Sequence, residues 1–158
     1  MNYLISFIYK QSIHYCIWVS DDEDYVITKD GKILFFSTID LIEEYEKKHN
    51  IIVSRSEEVQ YNLDKMLLWC FDEDDIECCC DEILNLWNIS HDVANSIKKY
   101  FIGNAPIYDE LYEKIFSAND LFSSNPIPCD SLSEFSKSEI MNIKKIIKNG
   151  IETIVESI

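Results

Sequence analysis

Along the first third of the chain apolar and polar positions fall in the pattern of strands. Tyr3 to Tyr9 is rich in apolar and aromatic residues, and in Ile13 to Val19 the residues Tyr15, Ile17 and Val19 alternate with His14, Cys16 and Trp18. Both faces carry apolar character, as strands do when a helix covers one of them. The acidic tetrad Asp21 to Asp24 then reads as a hairpin loop. Tyr25 to Thr28 and Lys32 to Phe36 flank Lys29-Asp30-Gly31, and Asp-Gly between two strand-like runs is a hairpin signal because both residues tolerate positive φ. Two successive hairpins predict an antiparallel sheet.

The period then changes. Ser37 or Thr38 can cap a helix over Ile39 to Lys48, with acids in its first half and Lys47, Lys48 and His49 at its end, an order that complements the helix dipole. Ile51 to Val53 reads as a short strand. From about residue 58 the pattern is helical. Leu63, Met66, Leu67 and Cys70 share one face, and Ile83, Leu86, Trp87, Ser90, Ala94, Ile97 and Phe101 make a longer stripe that Gly103 is expected to stop. Pro106 suits the first turn of a next helix carrying Tyr108, Leu111, Tyr112 and Ile115. Residues 117–135 read as a long irregular loop. Ser136 followed by Glu139 is a capping-box spacing that opens a last helix, with Ile140, Ile143, Ile147, Ile151 and Ile154 inward. Gly150 within that helix implies either a close neighbour or a kink. Strands followed by helices make the class α+β: an N-terminal antiparallel sheet from two hairpins, then a mainly helical C-terminal half. One domain over 1–158 is expected, mainly β with one helix over 1–57 and mainly helical over 58–158.

Charge sharpens this picture. The 158 residues hold 29 acidic and 14 basic side chains, a formal net charge of −15, while 47% are hydrophobic and 13% aromatic. That apolar fraction argues for a packed core despite the charge. Nucleic-acid binding through phosphate neutralisation is excluded, because it needs clustered Lys and Arg, and docking on an anionic membrane is disfavoured for the same reason. No stretch approaches the ~20 apolar residues of a membrane-spanning helix. The start lacks a basic segment before its apolar run and reads as a strand, not a signal peptide, so a cytoplasmic location with reduced cysteines is expected. Residues 66–97 carry 8 acids and no base. Asp72, Glu73, Asp74, Asp75, Glu77, Asp81 and Glu82 fall within that span, and Asp21, Asp22, Glu23 and Asp24 form a second run. Like charges this close repel, which fits an acidic surface meant for a basic partner.

Catalytic chemistry finds little support. The three glycines build no phosphate-cradling loop. Ser90-His91-Asp92 has the letters of a triad, but adjacent helical residues point apart, so His91 reads as a surface histidine beside a solvated Asp92. Cys78-Cys79-Cys80 lacks the C-x-x-C spacing that lets thiolates converge on zinc, and reads as small side chains at a helix start. The acidic run lacks the order of a calcium loop. No enzyme activity, metal or cofactor is expected. Trp18, Trp69 and Trp87 read as core, with Trp69 and Phe71 kept as candidate anchors beside the acidic run.

Ile83-Leu84-Asn85-Leu86-Trp87-Asn88-Ile89 with Asp92-Val93-Ala94 resembles the "LNFWN...D.A" segment of bacterial immunity proteins of contact-dependent growth-inhibition and related polymorphic toxin systems. Ile107 to Phe116 followed by Asn119-Asp120-Leu121 is similar to the family's "YDKLFWGNNL" segment, with Glu110 in place of a Lys and Ser117 in place of an aromatic or Gly. The resemblance implies a cytoplasmic, non-enzymatic protein that binds and neutralises one cognate toxin domain, cationic and of nuclease type. The expected partner-facing residues are Asp72, Glu73, Asp74, Asp75 and Glu77, then Asp21, Asp22, Glu23 and Asp24, with Trp69 and Phe71 as anchors. The alternative is an acidic, DNA-mimicking inhibitor of a nucleic-acid-binding protein, which would spread its charges along an extended face.

Overall fold

The computed structural model describes residues 1–72, 76–119 and 130–158. The chain begins with an antiparallel pair, β1 (Asn2–Tyr9) and β2 (Ser12–Val19). Their turn has left-handed backbone at Lys10 (φ 50°) and Gln11 (φ 61°), a conformation that favours glycine. The Asp64 carboxylate offsets that strain by accepting both turn amides, at 2.8 Å each. β3 (Tyr25–Val26) pairs with β2 beyond the acidic loop. The Asp-Gly hairpin forms as expected between β4 (Thr28–Lys29) and β5 (Lys32–Ile33), with φ of 53° at Asp30 and 75° at Gly31. It is a separate two-stranded sheet and not an extension of the first.

Helix α1 (Ile39–His49) follows, and then β6 (Val53–Asn62). Here the structure corrects the sequence reading twice. The strand expected to end at Val53 begins there, and residues 58–62 are strand, not helix. β6 runs parallel to β1, so the four-stranded sheet, ordered β3-β2-β1-β6, is mixed. Parallel neighbours need a crossover, and α1 supplies it.

The remaining elements are helical: α2 (Leu63–Cys70), α3 (Cys80–Ser96), α4 (Asp109–Ala118) and α5 (Lys137–Val155). α3 ends before the expected stop at Gly103. Lys98 takes the left-handed position (φ 56°), and the Lys99 amide closes the helix on Ala94 O at 2.8 Å. Gly103 is instead a packing position, where a Cβ would lie 2.5 Å from the Phe101 ring and 2.8 Å from Trp87 Nε1. Pro106 opens a short 3-10 turn that leads into α4. Ser136 caps α5 through the expected box with Glu139. Of the long loop expected over 117–135, residues 120–129 lie outside the described residues, and 130–134 form a 3-10 turn.

The sheet has a core on each side. Leu4, Ile17, Val19 and Val53 pack with Ile42 of α1 on one face. Ile5, Phe7, Cys16 and Val26 pack beneath the C-terminal helices on the other. That division accounts for the apolar character of both strand faces. The main core closes where α5 crosses α3, with Ile143, Ile146, Ile147, Ile151 and Ile154 buried. Each such side chain contributes roughly 1.5–3 kcal/mol by leaving water. Gly150 marks the closest approach, since a Cβ there would sit 2.2 Å from Ser90 Oγ. The buried Ser90 hydroxyl donates to Leu86 O at 2.6 Å and is satisfied. The fold is α+β, and no described helix is long and apolar enough to cross a membrane.

Candidate functional site

The sheet face under α3 is not filled at one end. β6 breaks register against β1, placing Ser54 opposite Tyr3 but Val59 opposite Ile5, so five residues of β6 span a two-residue step of β1. Beside this irregularity a cleft of about 630 Å³ opens between the sheet and α3. Tyr3, Ile5, Trp18, Val59 and Tyr61 form its sheet wall. Asn85, Asn88, Ile89 and Asp92 form its helix wall, and their spacing of three, one and three sets them on one side of α3. Tyr112 of α4 closes one margin, and Ser20 and Asp24 another. A smaller hollow lined by Glu23, Asp24, His91 and Asp92 adjoins the first, and a third, lined by Glu58, Asp81 and Glu82, shares Val59, Tyr61 and Asn85 with it. Among the described residues lining the three, none is Lys or Arg.

Asp92 is the central polar group. Trp18 Nε1–H donates to its Oδ2 at 2.9 Å, the one hydrogen bond the carboxylate makes among the described residues. The carboxyl is half-buried. Burial raises its pKa above the usual aspartate value; the indole bond and nearby His91 counteract part of this, and Asp24 adds to it. Burial, with Asp92 behind it, also raises the Tyr61 hydroxyl. Tyr61 stacks on Phe7 with ring centroids 5.2 Å apart, and Trp18 lies 5.5 Å from Tyr3. Tyr112 donates to Asn88 Oδ1 at 2.9 Å, which holds both in place. His91 is exposed, held from its two ring nitrogens by Asn104 and Asn95. Asp92 is therefore not the solvated neighbour of His91 that adjacency implied; it belongs to the indole of β2.

The expected partner-facing residues divide. Asp21, Asp22, Glu23 and Asp24 are all exposed; Asp24 lines the cleft and Glu23 only the smaller hollow beside it. Asp72 is exposed and pairs with Lys144 of α5, Glu77 is exposed, and neither lines the three hollows. Glu73, Asp74 and Asp75 lie outside the described residues. Trp69 is only 7% exposed and packs in the main core, whereas Phe71 is 60% exposed with Lys148 Nζ 5.1 Å from its ring centroid. Asn85, Asn88 and Asp92 were not candidates from the sequence. Their signal was a polar stripe recurring through an otherwise apolar helix.

The cysteine run sits at the start of α3, as expected. Cys79 is the N-cap, and the Glu82 side chain returns to its amide at 3.2 Å. Cys78 and Cys80 are buried. Burial first, then Glu82, pushes the Cys78 thiol up, and burial pushes Cys70 to about 11, so both are held as thiols. Among the described residues no group of three His, Cys, Asp or Glu side chains is placed to hold a metal ion. No protein-family model, curated protein or solved structure matches the chain.

Proposed function

We propose that this chain is an immunity protein that binds a cognate, cationic toxin domain in the cytoplasm and neutralises it without catalysis. The observation that carries the reading is the cleft, an aromatic-lined concavity with Asp24 and Asp92 in its wall, further carboxylates in the two adjoining hollows, and no Lys or Arg among the described lining residues, in a chain of net charge −15. A nuclease or other phosphate-handling toxin needs a basic cleft of its own. An acidic partner attracts such a surface over distance and raises the association rate, while apolar and aromatic contacts hold the complex. Six described carboxylates, Glu23, Asp24, Glu58, Asp81, Glu82 and Asp92, line this cleft and the two hollows beside it. Mimicry of a duplex would instead space them along an extended face, so the toxin reading is preferred to the DNA-mimic reading. The family resemblance of Ile83 to Ile89 with Asp92-Val93-Ala94 points the same way.

Co-expression with the toxin domain encoded beside this chain tests the proposal. Survival of the cells together with a stable 1:1 complex is the expected result. Survival without a complex, or the lack of any toxic neighbour, contradicts it. Asp74→Lys combined with Asp75→Lys tests the acidic run before α3. The double variant is expected to slow association and flatten its salt dependence, and an unchanged on-rate would remove that run from the interface.

A further inference from the structure

The cleft beneath α3 combines features that act on one kind of chemical group. Asp92 is half-buried, carries no ion pair among the described residues, and spends only Oδ2 on Trp18. Its Oδ1 remains available. The Asn85 side chain, about two turns earlier on the same cleft wall, makes no hydrogen bond among the described residues. Trp18 and Tyr61 bring aromatic rings to the same space, and Asp24 adds a second negative charge at the mouth. A carboxylate with an open oxygen, an amide carbonyl and indole and phenol rings together suit a planar cation that can both hydrogen-bond and stack. Guanidinium is that cation; a lysine ammonium is a compact, strongly hydrated point charge and gains less from the rings. At about 630 Å³ the cleft has ample room for such a side chain and the backbone presenting it.

We propose that this cleft is an arginine-accepting pocket, in which Asp92 anchors the guanidinium of an arginine presented by the protein partner, Trp18 and Tyr61 pack against the planar group, and Asn85, further along the wall, offers its amide to the segment that presents it. The inference rests on the reading that the partner is cationic and locates where its arginine docks. Asp24 at the mouth steers the approaching charge. The arrangement also accounts for an otherwise costly feature. A half-buried carboxylate without a cation is destabilising in the free protein, and the arriving arginine compensates it.

The test uses the full chain and a defined probe, acetyl-Gly-Arg-Gly-amide, followed by the NMR signal of the Trp18 indole N–H and the Asn85 side-chain amide. Saturable shifts at both groups are expected. The citrulline peptide, neutral and nearly isosteric, should produce none. Asp92→Asn keeps an oxygen for the indole and should weaken binding about tenfold or more. Asp24→Asn, at an exposed loop position, should weaken it less. Glu44→Gln, on α1 across the sheet, should leave it unchanged. An unmoved indole, equal binding of the citrulline peptide, or undiminished binding by Asp92→Asn overturns the proposal. The functional reading fails separately: a pocket that binds the probe in a chain that forms no complex with the neighbouring toxin domain sinks the immunity reading alone. A tight complex indifferent to Asp92→Asn sinks the pocket alone.

Discussion

At the scale of single residues, two aspartates carry opposite accounts. Asp64 relieves the β1–β2 turn by accepting the Lys10 and Gln11 amides. Asp64→Ala is expected to lower stability by about 1–2 kcal/mol, read in a urea titration, because two amides lose a charged acceptor where the backbone is already strained. Asp92 is the reverse. Its folded pKa lies above its unfolded value, mainly through burial, so at neutral pH its ionised form costs stability, and the cost disappears as pH falls through the folded pKa and the carboxyl protonates. Asp92→Asn should therefore raise the melting temperature at neutral pH, with a gain that shrinks on acidification. A fall in melting temperature at neutral pH would mean that the indole bond outweighs burial. Glu46 and Glu82 follow the opposite sign. Arg55 holds the Glu46 carboxyl below its usual value; at Glu82 burial is the largest influence and pushes up, but Lys65 and the Cys79 hydrogen bonds together bring the carboxyl below its usual value, so both sites contribute stability that is lost as pH drops through those lowered values. Neither aspartate's role could be read from the sequence. Asp92 meets Trp18 across 74 positions, and adjacency suggested His91 as its companion.

At the scale of elements, the strength of the local pattern decided what was legible. β1, β2 and the Asp-Gly hairpin show themselves through alternation and turn chemistry, and α5 through its capping box and isoleucine stripe. β6 does not. After Val53 it reads Ser-Arg-Ser-Glu-Glu-Val-Gln-Tyr, a polar run with its apolar positions far apart, because it is an edge strand with a solvated side and a broken register. Its parallel pairing depends on the crossover through α1, which no local signal announces. The two alternatives for Gly150 resolve in favour of close packing. Gly150→Ala should destabilise the α3–α5 contact by roughly 1–3 kcal/mol, since its Cβ would lie 2.2 Å from Ser90 Oγ and 2.8 Å from Ser90 Cβ. Ser90→Gly in the same chain removes both atoms. Thermal unfolding of the two single variants and the double variant should then show non-additivity, with the double variant recovering part of the loss. Purely additive costs would mean that the helices do not meet at this point.

At the scale of the whole molecule, the charge imbalance was plain in the sequence, and its arrangement was not. Two acidic runs stood out, yet the described structure brings carboxylates from separate elements to one side of the molecule: Asp24 before β3 and Asp92 on α3 in the cleft, Glu58 on β6 and Asp81 on α3 in the hollow that shares its wall. Only the fold brings them together. The most direct test is the association rate of this chain with the proposed cognate toxin domain, measured against ionic strength for the wild type and for Asp92→Asn. The account predicts a 1:1 complex whose on-rate falls roughly tenfold or more from low to physiological salt, with Asp92→Asn mainly speeding dissociation. Absence of a complex, or an on-rate indifferent to salt, would contradict it.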